Sequence, residues 1–358
     1  MVSRPSRTEL GPIGCSIAQR GIALTQFIAH PPDKVSARFA WMRFPDAGGE
    51  PPDRATTAQQ LRTMVKAGGF QTDSVVSCIS AADHLSFRRL SIPLGSDEVS
   101  KRLVHEAIAR EWEVAPRTIS TDYIEIPLST SPENRQLDCI AVVASESAIE
   151  ALSMLLKQAG LVPLAIDASI AAVTRCIASP GAAQDENSSM LVVEVGSRGH
   201  TIAIGAHGTP SFVCSRHEGH SSAEEHKPCA AIPVQPPDGA ASVATPAATK
   251  HQCLPSGMCA AELAGDINNV LQYVEDENLV HELPRCGIVI GADELGPPLI
   301  NELAVCSRIS LLALHEVLCP IAHSCIPRLP PDARIEDMIT SIGLALYGFE
   351  HLTSGTVT

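Results

Sequence analysis

Two carboxylates and two groups of histidines and cysteines have side chains that invite chemistry. Glu194 closes the apolar run MLVVEV, where it can hold a water above a cleft or bond the neighbouring turn. Asp167 opens a helical stretch, and a short acid there is an N-cap before it is a catalytic group. His217, His220, His226, Cys229, His251, Cys253 and Cys259 are ligand types, but no CxxC or HxxxH pair spaces them for zinc, so metal there is read as adventitious or absent. His315, Cys319, His323 and Cys325 read as buried small residues beside surface histidines, and no flanking signature marks a Cys–His nucleophile.

The elements that must position Glu194 lie between Met190 and Cys214. The pattern predicts strands over 191–195, 201–206 and 211–214. Ser197-Arg198-Gly199-His200 and His207-Gly208-Thr209 form the turns, whose glycines allow positive φ. Apolar runs bounded by turns fit strands covered on both faces, in a layered α/β domain. Residues 16–24 repeat the shape of 194–202, each a strand, a turn with Arg-Gly and a second strand. The repeat predicts a duplicated half-fold with a cleft between the halves.

The chain has 358 residues, 45% of them hydrophobic and 18% charged, enough for two cored lobes. Aromatics are only 3%, so Ala, Val, Ile and Leu must fill the cores. A net charge of −14 argues against nucleic acid, which needs clustered cations. Twelve irregularly spaced cysteines, with no signal peptide at the N-terminus, read as reduced cytosolic thiols. No run of about 18 apolar residues exists, so any membrane role goes through a partner.

In chain order, 11–84 and 161–184 are expected to build the first lobe. It has a hairpin over 13–27, an edge strand near 39–44, a helix at 57–67 and a buried strand at 74–79. Residues 85–160 read as an inserted α+β subdomain. Its first helix follows Ser96 with Val99, Leu103, Ala107 and Ile108 as the apolar face. Its second follows Ser145, with Ile149, Leu152, Leu156 and Ala159 inward and Gly160 as cap. Residues 190–217 and 258–350 form the second lobe, with helices at 260–275, 298–305 and 335–348 and strands at 286–290 and 309–314. Between them, 218–257 is low in complexity, rich in Ser, Pro, Ala and His. The acidic run Glu275-Asp276-Glu277 reads as a solvated helix end.

This order of elements resembles the PilM family, actin-like cytoplasmic proteins of type IV pilus assembly. The resemblance rests on several short pieces. They are Leu61-Arg62 through Val75-Val76, Phe87-Arg88-Arg89 through Pro93, Glu106, Asp122-Tyr123, the AIDAS run at 165–169, IVIGADELGPPL and SIGLALYG. It implies a duplicated actin-like (ribonuclease H-like) ATPase fold, in which two hairpins grip nucleotide phosphates and a third turn holds adenosine. The matching positions are Ser16, Gln19, Arg20 and Gly21; then Glu194, Gly196, Ser197, Arg198 and Gly199; then Gly291 and Asp293. They depart from the pattern. Ser16 replaces an Asp and cannot supply the charge magnesium needs, Glu194 replaces a second Asp, and Asp293 brings negative charge to the adenosine turn. Arg198 could pair with phosphate directly.

The resemblance therefore implies a pseudo-ATPase scaffold without a required cofactor. It would be cytoplasmic, peripheral at the inner membrane and docked on the tail of a PilN-like protein, with the insertion as contact surface and homo-oligomers compatible. The alternatives are an active actin-like ATPase using ATP and Mg2+, or a GspL-like secretion domain. The latter continues into a transmembrane helix, whereas this sequence ends at Thr358 without one.

Overall fold

The computed structural model describes residues 9–30, 34–44, 52–126, 136–177, 189–196, 199–206, 208–217, 260–280, 282–290, 297–307 and 309–353. In chain order come strands β1 (Glu9–Ala18), β2 (Gly21–His30) and β3 (Lys34–Arg43), helix α1 (Arg54–Ala67) and strand β4 (Ser74–Ile79). A single helical turn, α2 (Ala81–His84), leads to β5 (Leu85–Pro93), α3 (Asp97–Glu111), β6 (Ile119–Glu125) and β7 (Gln136–Ser145). Then follow α4 (Glu146–Gln158), β8 (Val162–Ala168) and α5 (Ser169–Arg175). The second half runs β9 (Met190–Val195), β10 (Gly199–Ala206), β11 (Thr209–His217), α6 (Ala260–Asp276) and β12 (Cys286–Ile290). It closes with α7 (Pro297–Cys306), β13 (Ser310–Leu311), α8 (Pro320–Cys325) and α9 (Ile335–Thr353).

The expected duplication is present. One sheet has the order β3-β2-β1-β4-β8 and the other β11-β10-β9-β12-β13. In each, the first three strands are antiparallel neighbours and the last two run parallel to the first. The registers coincide with the sequence repeat: Ser16 pairs across to Ala23, and Glu194 to Thr201. The first nine residues of β2 are buried, the continuous run expected of a strand covered on both faces.

Leu61 and Met64 of α1 pack with Leu156 of α4 beneath the first sheet, and Leu263, Ile267 and Val270 of α6 pack beneath the second. Each fully buried aliphatic side chain there contributes about 2 kcal/mol. The insertion forms its own antiparallel sheet, β5-β7-β6, covered by α3. Glu275, Asp276 and Glu277 are exposed at the end of α6.

Several local expectations change. The face that α3 buries carries Ser100, Val104 and Ile108, while Val99 is 37% exposed. Two apolar stripes lie side by side on this helix, and the sheet takes the one with Val104. The edge strand at 39–44 extends back to Lys34, and the strand at 309–314 shrinks to Ser310–Leu311. Asp167 is the penultimate residue of β8 and does not open the helix. Ala168 is the N-cap of α5, and Asp167 accepts from the Ala168 N–H at 2.7 Å and pairs with Arg175 at 2.7 Å.

Helix α9 falls in the stretch grouped with the second lobe, yet it lies against β1, β2 and α5 of the first. Two glycines permit this. A Cβ on Gly14 would collide with the Ser341 carbonyl, and one on Gly343 with the Ala172 carbonyl. Gly343→Val is therefore expected to cost about 3 kcal/mol, read as a lower urea midpoint at unchanged slope. An unchanged midpoint would show that α9 packs elsewhere.

Candidate functional site

The two hairpins face a cleft of about 830 Å3. Ser16, Gln19, Arg20 and Gly21 line it from the first hairpin, and Glu194 and Gly196 from the second. Ala148, Leu152 and Leu155 of α4 and Trp41 of β3 give it apolar walls. The structure thus brings together the expected site residues of the first hairpin and part of the second. Ser197, Arg198, Gly291 and Asp293 lie outside the described residues, as do His220, His226, Cys229, His251, Cys253 and Cys259. His315 and His323 are exposed and Cys325 is buried. No group of three or more potential metal ligands comes together among the described residues.

Glu194 is the centre of the arrangement. It is 8% exposed, and the Ser169 hydroxyl reaches both carboxylate oxygens, at 2.6 and 2.7 Å. The Ser80 hydroxyl donates to Oε1 at 3.4 Å. Ser169 Oγ in turn accepts the Ala81 N–H at 2.7 Å, which holds the hydroxyl proton toward the carboxylate. Ser80 follows β4 and Ser169 starts α5, both in the first lobe, whereas Glu194 belongs to the second. The carboxylate is thus a tie across the cleft. Glu194 bonds the opposite lobe, a contact that neither sequence reading, a held water or the neighbouring turn, included.

Arg20 stands in the two-residue turn between β1 and β2. Its Nη1 donates to Asp337 Oδ1 at 2.8 Å, and Asp337 is 3% exposed at its side chain. Asp337 Oδ2 also accepts the Arg334 N–H at 2.9 Å, closing the first turn of α9. Burial lowers the Arg20 pKa, and the Asp337 charge opposes that. Gly21 is required by space, since a Cβ would strike the Met42 carbonyl of β3. Gly196 donates to the Gly199 carbonyl at 2.9 Å, and Gly208 carries the expected positive φ, +79°.

Ser16 is buried, and the Cys78 thiol is pushed well above its usual range by burial, with the Glu194 and Asp167 charges adding to the shift. Sequence reasoning missed Ser80, Ser169 and Asp337. Ser169 sat inside the AIDAS run, but nothing in its type marked it as the partner of an acid 25 residues away.

The topology defines an actin-like fold. No protein-family model matches the chain, and no curated protein matches it. Among solved structures, the PilM-PilN type IV pilus biogenesis complex is similar at TM-score 0.62 and 15% identity, over 94% of this chain and 98% of that one. A Bacteroides thetaiotaomicron protein with an actin-like ATPase fold gives TM-score 0.43 at 11% identity, over 85% and 90%. The cytoplasmic domain of EpsL, an inner-membrane component of the Vibrio cholerae type II secretion system, gives 0.34 at 11%, over 57% and 71%.

The resemblance implies adenine nucleotide with magnesium, and the described residues of the cleft depart from that expectation in three respects. Ser16 offers no charge to a cation, Glu194 is occupied by two serine hydroxyls, and the Arg20 guanidinium is directed at a buried aspartate. The arrangement is suited to holding two lobes in one position. Ser169→Ala is expected to destabilise by about 2–3 kcal/mol, because a buried carboxylate loses its main donor. Ser80→Ala, at the longer distance, is expected to cost under about 1 kcal/mol. Denaturant unfolding of both variants checks this, and equal, small effects would contradict the tie.

Proposed function

We propose that this chain is a non-catalytic scaffold in the cytoplasm, held under an inner-membrane pilus or related secretion platform by the tail of a PilN-like protein. The observation that carries the reading is the Glu194 carboxylate, bound by Ser169 and Ser80 where an ATPase of this fold needs it for water or metal. The likeness in fold to the PilM-PilN structure supports the choice of partner. No helix among the described residues is long and apolar enough to cross a membrane, which fits attachment through another protein. On the insertion, Leu94 is 61% and Val99 37% exposed, an apolar pair next to a covered sheet. A short apolar tail would dock against such a surface.

Titration of the full chain with the N-terminal peptide of a PilN-like protein tests the reading. Binding in the micromolar range is expected, weakened by Leu94→Asp. No binding at high micromolar peptide would overturn it.

Adenine nucleotide provides the opposing test. A ligand at 100 times its dissociation constant raises stability by about 2.7 kcal/mol. A melting curve unchanged by Mg-ATP is expected, and a clear rise would favour the active ATPase instead.

A further inference from the structure

The duplicated sheets end on equivalent edge strands, β3 and β11, and the two edges are treated differently. β11 carries Pro210, pairs with β10 through a register shift between Ile204 and Gly205, and lies against β5 of the insertion. Each of these protects an edge from further pairing. β3 has none of them. It pairs with β2 over ten consecutive residues without a shift, it lacks proline, and no described strand pairs with its outer side. Alternate residues of β3 must turn their N–H and C=O groups outward.

Both faces of β3 are anchored. Ala37, Phe39 and Trp41 pack against one core cluster, and Ala40 and Met42 against another, so the edge is rigid before anything binds. Val35 is 44% exposed. In a chain with net charge −14, the strand sequence KVSARFAWMR contains three cations and no acid. Arg38 has no ion pair among the described residues. A second copy of β3 would bring like charges against like, which disfavours self-pairing.

We propose that β3 is a docking edge for an extended acidic segment of another protein, added as a sixth strand. Its backbone would pair with the outward amides, and its alternate carboxylates would lie on the face of the sheet that carries Arg38. This goes beyond the scaffold reading and does not rest on it. β3 lies at the far end of the sheet from β8, and the apolar pair Leu94 and Val99 is on the insertion, so the two contacts are separable.

The test uses the full chain and two labelled nine-residue peptides, one alternating glutamate with valine and one alternating lysine with valine. Fluorescence anisotropy should show the glutamate peptide binding and the lysine peptide not. Added salt should weaken binding, and Arg38→Glu should lower affinity at least tenfold. Arg38→Gln, which removes the charge with little change of shape, should fall between wild type and Arg38→Glu. Hydrogen exchange should slow at amides within 34–43 on binding. The proposal is overturned if neither peptide binds, if both bind equally, or if protection appears elsewhere. It is also overturned if the arginine variants bind as wild type does, or if sedimentation shows the chain pairing with itself through this edge.

Discussion

A buried carboxylate must be given hydrogen-bond donors, because an unsolvated charge in a protein interior costs several kcal/mol. Glu194 is 8% exposed, and two of its donors come from the other half of the molecule: Ser169 at 2.6 Å and Ser80 at 3.4 Å. Separating the lobes would strip the carboxylate of both hydroxyls at once. This tie acts beside a shared apolar core, in which Ile79, Ile170 and Val173 of the first lobe pack with Val192, Ala203 and Ile288 of the second. The antiparallel bridge between Ile177 and Leu318, and the Cys319 N–H on the Cys176 carbonyl at 2.7 Å, act in the same direction.

The first hairpin is held by a second buried carboxylate. A hairpin turn that grips phosphate must leave its donors available. Here the Arg20 guanidinium is directed to Asp337, which also closes the first turn of α9. That helix is seated between β1 and α5 by Gly14 and Gly343. The first hairpin, the C-terminal helix and α5, whose first residue holds the inter-lobe carboxylate, thus form a contiguous set of contacts.

Local patterns made much of the architecture legible. A strand, an Arg-Gly turn and a second strand, met at 16–24 and again at 194–202, placed Ser16 and Glu194 at equivalent points, and the registers agree. Strands β4 and β12 were read to the residue, because their apolar runs are sharply bounded. The side of α3 was read in part: Leu103 and Ile108 pack on the core as expected. Val104 is buried where Val99 was expected, because two apolar stripes adjoin and the sheet decides between them. The lobe to which α9 belongs was also hidden. Its small residues announced close packing but not against what. The serines that hold Glu194 were invisible for a similar reason: Ser80 is 114 residues away, and serine is too common to stand out.

The Ala81 N–H donates to Ser169 Oγ, the atom that binds Glu194, so its exchange with solvent reports directly on the tie. Residue-resolved amide exchange on the full chain, with and without Mg-ATP, measures it. Slow exchange at Ala81, unaffected by nucleotide and accelerated in Glu194→Ala, is the result expected of a cleft held shut by its own carboxylate. Fast exchange in the wild type, slowed only when nucleotide is added, would contradict that account.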